Sequence, residues 1–258
     1  MSNIGKAFTN GKAFIGFLTG GDPSLEKSAE LIVAMAAAGA DLVEIGIPFS
    51  DPIAEGPIIQ EANIRALAAG ATTEKMFTLV QKVRQQTSVP IVFLTYLNPV
   101  FKYGYDAFCA RCAAVGVDGL IIPDLPYEER GELLPFSRAH GIDIISLIAP
   151  TSEGRIQLIA TDATGFIYVV SSMGVTGVRS EIKTDLSSIL QTVRSVSSVP
   201  TAVGFGINTP DQAEKISHSA DGIIVGSAIV KIIAAYGDQA VQPVCDYVKS
   251  MKNAMAKK

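Results

Sequence analysis

The sequence predicts one α/β domain over residues 1–258, a (β/α)8 barrel of the TIM type with extra helices. Three observations predict it. Short β-branched, apolar runs alternate with longer helix-like segments almost without interruption. Those runs are nearly continuous in hydrophobicity, as parallel strands covered on both faces require. The 258 residues contain no polar linker or break in composition, and roughly 250 residues is the usual size of one such barrel.

Eight runs qualify as strands: 13–18, 42–47, 91–96, 119–122, 142–148, 166–170, 201–205 and 222–225. The first is followed by a helix over 24–38, opened by a Ser24 cap, with Leu25, Ala29, Ile32 and Ala36 on one face. Strand two leads into an extra helix, 57–69, and then a helix over 73–86 with Glu74 in its first turn, where negative charge suits the helix dipole. Helices over 105–115, 127–140, 152–161, 185–196 and 210–217 follow, each in its turn between strands. After strand eight come 228–236 and 239–251, broken at Gly237-Asp238. Gly39-Ala40-Asp41, Gly116-Val117-Asp118 and Gly141-Ile142-Asp143 each punctuate a helix just before a strand, where glycine suits a left-handed cap. A doubly wound open sheet is the competing architecture. It would carry a glycine fingerprint straight after its first strand, and Thr19-Gly20-Gly21-Asp22-Pro23 lacks that spacing.

Composition narrows the function classes. Hydrophobic residues are 48% and charged residues 18%, enough for a large core and against disorder. The 21 basic and 25 acidic residues give −4. Basic residues run together only at the C-terminus, so nucleic-acid binding is not supported. No apolar stretch of about 18 residues suggests a membrane span, and the N-terminus lacks the apolar core of a signal peptide. A cytoplasmic protein is expected. Cys109 and Cys112 are spaced C-x-x-C, but on a helix and without a second ligand pair, so they and the isolated His140 and His218 read as structural.

In a barrel of this kind the site lies at the C-terminal ends of the strands. Glu44 stands out there as a carboxylate inside an otherwise apolar strand. Burial would raise its pKa and make it a proton shuttle near neutral pH; a structural carboxylate satisfied by backbone donors is the other reading. The loop after it carries Asp51 and Glu55. Gly204 and Gly206 follow strand seven, and Gly226 and Ser227 follow strand eight at a helix start. Glycines and a helix N-terminus suit a phosphate, and these loops are its common position in the fold. The loop 171–183 adds Gly174, Thr176, Gly177 and Arg179. A lid over a phosphorylated substrate would have this composition, and so would an ordinary surface loop. No lysine lies within a strand, which argues against an imine, and neither histidine falls at a strand end, which argues against a metal site. A metal-free acid/base lyase or isomerase remains.

The motifs carry a resemblance. The run from Glu44 to Gln60 (EIGIPFSDPIAEGPIIQ) resembles the signature of the tryptophan synthase alpha subunit family. So do FLTGGDP from Phe17, PDLP from Pro123, GVTG from Gly174, GFGI from Gly204 and GSAIVK from Gly226, all in family order. The resemblance implies retro-aldol cleavage of indole-3-glycerol phosphate to indole and glyceraldehyde 3-phosphate. It makes Glu44 the general acid/base and Glu55 the carboxylate that holds the indole N–H, a position where the family typically has aspartate. It places Tyr168 near Glu44, and Phe17, Leu94, Tyr96, Ile121 and Phe205 as walls for the indole. The phosphate grip falls on Gly177, Gly206, Gly226 and Ser227, and Thr176 matches a lid residue that meets the strand-two loop. It also implies a beta subunit partner in an alpha2beta2 heterotetramer, met through the strand-two loop, Asn98-Pro99 and Asp124. Pyridoxal phosphate would belong to beta, with no cofactor in this chain. Glu55 leaves open a weakly active subunit that mainly activates and gates beta. Another phosphosugar isomerase would share the phosphate loops but not the run from Glu44 to Gln60.

Overall fold

The computed structural model describes residues 2–171, 186–204 and 206–256. Its strands are β1 (Ala13–Thr19), β2 (Leu42–Gly46), β3 (Ile91–Leu94), β4 (Gly119–Ile121), β5 (Asp143–Ile144), β6 (Ser146–Ile148), β7 (Ile167–Val170), β8 (Thr201–Gly204) and β9 (Gly222–Val225). They form a single sheet in the order β5-β4-β3-β2-β1-β9-β8-β7-β6, and every paired neighbour is parallel. The two end strands, β5 and β6, are separated by Ile145 alone. The predicted fifth strand is therefore present in two pieces. Its first half pairs with β4 and its second with β7, so the sheet closes on itself through one continuous stretch of chain.

The strands look uniformly apolar because both of their faces are covered. Ile15, Leu42, Val92, Ile121, Ile145, Phe166, Tyr168, Ala202 and Ile224 form an interior cluster. Val43, Ile45, Phe93, Leu120, Val169, Val203 and Ile223 belong to the larger cluster shared with the helices. Successive strand residues thus alternate between barrel interior and helical layer. A 3-10 helix, Ile4–Phe8, adds Ile4 and Ala7 to the interior cluster. So short an element leaves no periodic signal in the sequence. It is held by Asp118, whose carboxylate accepts from Asn3 N at 2.9 Å, Ile91 N at 2.9 Å and Arg84 Nη2 at 3.1 Å.

The helices are α1 (Leu25–Ala37), α2 (Pro57–Ala68), α3 (Thr73–Arg84), α4 (Leu97–Tyr103), α5 (Tyr105–Val115), α6 (Leu134–Ala139), α7 (Glu153–Thr161), α8 (Leu186–Arg194), α9 (Pro210–Ser217), α10 (Ser227–Tyr236) and α11 (Val241–Met255). Ser24 caps α1, its hydroxyl accepting from Lys27 N. Gly116 closes α5 in the left-handed conformation at φ 86°, the role its junction implies. Three boundaries differ from expectation. Strand three stops at Leu94, and α4 fills the stretch between it and the helix expected over 105–115, where no element was expected. Pro99 lies in the first turn of α4, where the missing N–H has no helical partner anyway. The helix expected over 127–140 is reduced to a 3-10 turn, Arg130–Glu132, and α6, because Pro135 is tolerated only at a helix start. The last helix begins at Val241 and runs to Met255, beyond the expected 251.

Candidate active site

Glu44 sits in the middle of β2, between Val43 and Ile45, which face the helices. Alternation turns Glu44 inward, in register with Phe17 on β1 and Val92 on β3. It is 2% exposed. Among the described residues, its Oε2 and Thr19 Oγ1 are the buried side-chain polar atoms without a hydrogen-bond partner. Burial, with a further push from the charge of Glu55, raises its carboxyl from 4.5 to about 8. The reading of a carboxylate satisfied by backbone donors is thereby set aside for that oxygen. A buried, unpaired carboxyl costs stability, and such a cost is typically retained where chemistry requires it.

Glu55 lies in the loop after β2, directly before Gly56, the N-cap of α2, and is 6% exposed. Its Oε2 accepts from Asn63 Nδ2 at 2.5 Å, and it is hydrogen-bonded to the side chain of Tyr96. Burial raises its carboxyl to about 7, while those two hydrogen bonds pull the other way. The Tyr96 hydroxyl also accepts from Ala54 N at 3.1 Å. Tyr96 therefore offers a polar group to the site in addition to its ring, which packs 5.3 Å from that of Phe49.

Tyr168 is buried on β7, and burial, with a further push from the charge of Glu44, raises its phenol well above the usual value. Glu44, Glu55 and Tyr168 are thus one electrostatically linked group. Phe17 packs at the barrel mouth with Ile59 and Ala62 of α2 and Val230 of α10, with Leu94 against them. A Cβ at Gly46 would lie 2.9 Å from the Phe17 ring, and one at Gly226 would lie 3.2 Å from it. The ring is therefore set between two strand ends that leave it room. Ile121 lies deeper, in the interior cluster. Gly206 has φ 87° and Gly226 is the N-cap of α10, with Ser227 its first residue. Thr176, Gly177 and Phe205, with the lid reading of the strand-six loop, lie outside the described residues.

Two further features escape a reading by motif. Asn63 on α2 is 4% exposed and interrupts the buried stripe of Ile59, Ala62 and Ala66. A polar residue in such a stripe was the available signal. Asp22, 2% exposed, takes a two-point grip from Arg65, with Nε at 2.9 Å and Nη2 at 2.8 Å, tying α2 to the loop after β1. The outlying histidine His140 pairs with Asp106 at 2.8 Å, away from these groups in the fold. Among the described residues, no helix is long and apolar enough to cross a membrane.

With this geometry in hand, comparison with known proteins gives a consistent result. The family model described as tryptophan synthase alpha chain matches residues 5–257. The chain is 52% identical over 255 residues to the tryptophan synthase alpha chain of Lacticaseibacillus casei, covering 99% of this chain and 96% of that one. Among solved structures, tryptophan synthase of Mycobacterium tuberculosis superposes with a TM-score of 0.91 at 33% identity, covering 100% of this chain and 99% of that chain. A chain of the tryptophan synthase a2b2 complex from Pyrococcus furiosus gives 0.86 at 34% identity, over 94% and 99%. The chain belongs to the tryptophan synthase alpha chain family.

Proposed function

We propose that this chain, working as one barrel domain, cleaves indole-3-glycerol phosphate to indole and glyceraldehyde 3-phosphate, the alpha reaction of tryptophan biosynthesis. The observation that carries the reading is Glu44: an interior carboxyl with an unpaired oxygen, raised to about 8. At neutral pH such a group holds its proton and can give it to indole C3, which turns the ring into an electron sink. The resulting carboxylate then takes the proton of the side-chain hydroxyl as the carbon–carbon bond breaks. One group serves as acid and then as base, as its raised pKa permits.

Glu55, lower at about 7 and held by Asn63 and Tyr96, is suited to accept the ring N–H. Tyr168 supports Glu44, while Phe17, Leu94, Tyr96 and Ile121 give the flat ring its walls, a role that the family resemblance extends to Phe205, outside the described residues. Gly206, Gly226 and Ser227 are suited to grip the phosphate; the family resemblance adds Gly177 to that grip and assigns Thr176 to the lid, both outside the described residues. The start of α10 at Ser227 supports this, since a helix N-terminus favours an anion. The chemistry asks only for proton transfers, so the chain needs no cofactor of its own, and pyridoxal phosphate belongs to the partner.

That partner is the beta subunit, in an alpha2beta2 assembly such as the one from Pyrococcus furiosus. Ile53 in the strand-two loop and Phe101 on α4 are 71% and 66% exposed, beside the contact elements expected around Asn98-Pro99 and Asp124. A biosynthetic enzyme of this kind works in the cytoplasm. Steady-state release of indole from indole-3-glycerol phosphate, measured with and without a beta subunit, tests the reading. Cleavage in both conditions supports a full lyase. Stimulation of beta without any cleavage would leave only the gating subunit.

A further inference from the structure

Asn63 stands eight residues beyond Glu55 and inside the buried stripe of α2. A buried amide is costly unless its groups are satisfied, and this one gives an N–H to the Glu55 carboxylate. The frame around the pair is fixed at two other points. Gln60 Nε2 donates to the main-chain carbonyl of Glu55 at 2.7 Å, and Arg65 anchors the helix to buried Asp22. The carboxylate is therefore aimed from a helix that is itself fastened to the barrel.

We propose that Asn63 is a positioning residue for the reaction, holding the Glu55 carboxylate in the rotamer that faces the ring N–H of the substrate. The inference rests on the reading of Glu55 given above. A glutamate has one more rotatable bond than an aspartate, and an unheld carboxylate would spread over several rotamers. Burial also favours the neutral acid at this position, and the Asn63 hydrogen bond favours the ionised form that can accept. When indole C3 takes up a proton, positive charge develops on the ring nitrogen. A hydrogen bond from its N–H to a carboxylate becomes stronger at that moment than in the bound substrate. Loss of Asn63 should consequently act on turnover more than on binding.

The experiment measures kcat and KM for indole-3-glycerol phosphate cleavage by the alpha–beta complex carrying Asn63→Ala, Asn63→Asp, Glu55→Gln, or Asn63→Ala with Glu55→Gln. Asn63→Ala is expected to lower kcat by about tenfold or more, with KM within roughly threefold of the parent. Asn63→Asp has the same shape without the donor and is expected to lower kcat likewise; it decides the matter if Asn63→Ala does not fold. The double variant should fall within about twofold of Glu55→Gln, because a residue acting through Glu55 has nothing left to lose there. Losses that multiply in the double variant overturn the proposal, since Asn63 would then act independently of Glu55. Parental kcat in both single Asn63 variants overturns it too. Parental kcat in Glu55→Gln removes the reading of Glu55 itself, and the proposal falls with it.

Discussion

The phenol of Tyr168 occupies the space in front of Gly204: a Cβ there would lie 2.6 Å from the ring and closer still to the hydroxyl oxygen. The two residues lie on the neighbouring parallel strands β7 and β8, where Tyr168 is in register with Ala202, two positions before Gly204 and on the same inward face. Glycine at 204 is thus a condition for the Tyr168 phenol to keep its place within reach of the Glu44 charge. Gly204→Ala is expected to displace the phenol, lowering kcat/KM by about tenfold or more for a displacement of roughly an ångström. Overpacking of this kind also costs about 1–3 kcal/mol. Parental kinetics together with an unchanged melting temperature would show that the barrel relaxes around the new methyl group.

Glu44→Gln should keep the fold and abolish indole formation, because a lost acid/base usually costs about a hundredfold or more. Activity within threefold or so of the parent would dismiss Glu44 from its role. The same change is expected to stabilise the chain. The folded carboxyl titrates at about 8 and its ordinary value is 4.5. Its favourable contribution to folding is therefore full below 4.5 and lost as pH rises through about 8. Glutamine carries no charge at any pH, so chemical denaturation above pH 8 should show a gain on the order of 5 kcal/mol.

The two carboxyls set a narrow window for kcat/KM. Glu44 must hold its proton and Glu55 must have lost its own, so activity should rise as pH passes about 7 and fall as it passes about 8. The limbs belong to the coupled pair. Because the Glu55 charge helps to raise Glu44, Glu55→Gln should remove the acidic limb and move the alkaline limb to lower pH. An alkaline limb that stays in place in this variant would show that the two groups do not sense each other.

Glu55→Asp introduces the residue that the family resemblance implies at this position, yet shortens the reach to Asn63. With the glutamate already held at 2.5 Å by Asn63, turnover is expected to stay level or fall. An increase of about fivefold or more would mean that the longer side chain is misplaced in this barrel.

Glu44 stood out in the sequence because a charged residue interrupts an otherwise apolar strand there, although the sequence left its role divided between chemistry and structure. The strands themselves were legible for the related reason that burial on both faces leaves uninterrupted hydrophobic runs. The break at Ile145 was not, since hydrogen-bond partners on two different neighbours leave no trace in side-chain character. Nor was α4, whose Pro99 reads as an interruption unless its place in the first turn is known. Tyr96 illustrates a different limit. Its identity suggests a wall for a flat ring, but its bond to Glu55 depends on a loop returning from β2 to β3, a relation across dozens of residues. Asn63 could have been singled out by its stripe, although its partner could not.

The clasp at Asp118 has a consequence in time as well as in space. It joins Asn3 to a residue 115 positions later, so the Ile4–Phe8 helix can settle only after half of the barrel has been made and assembled. Closing so long a loop carries an entropic cost before its contacts are gained. The first turn of the chain is therefore expected to act as a latch, fastened late in folding and released early in unfolding. Deleting residues 2–8 is expected to speed unfolding more than it slows folding, as for contacts absent from the transition state. Stopped-flow kinetics would reveal the opposite pattern if the segment belonged to the nucleus.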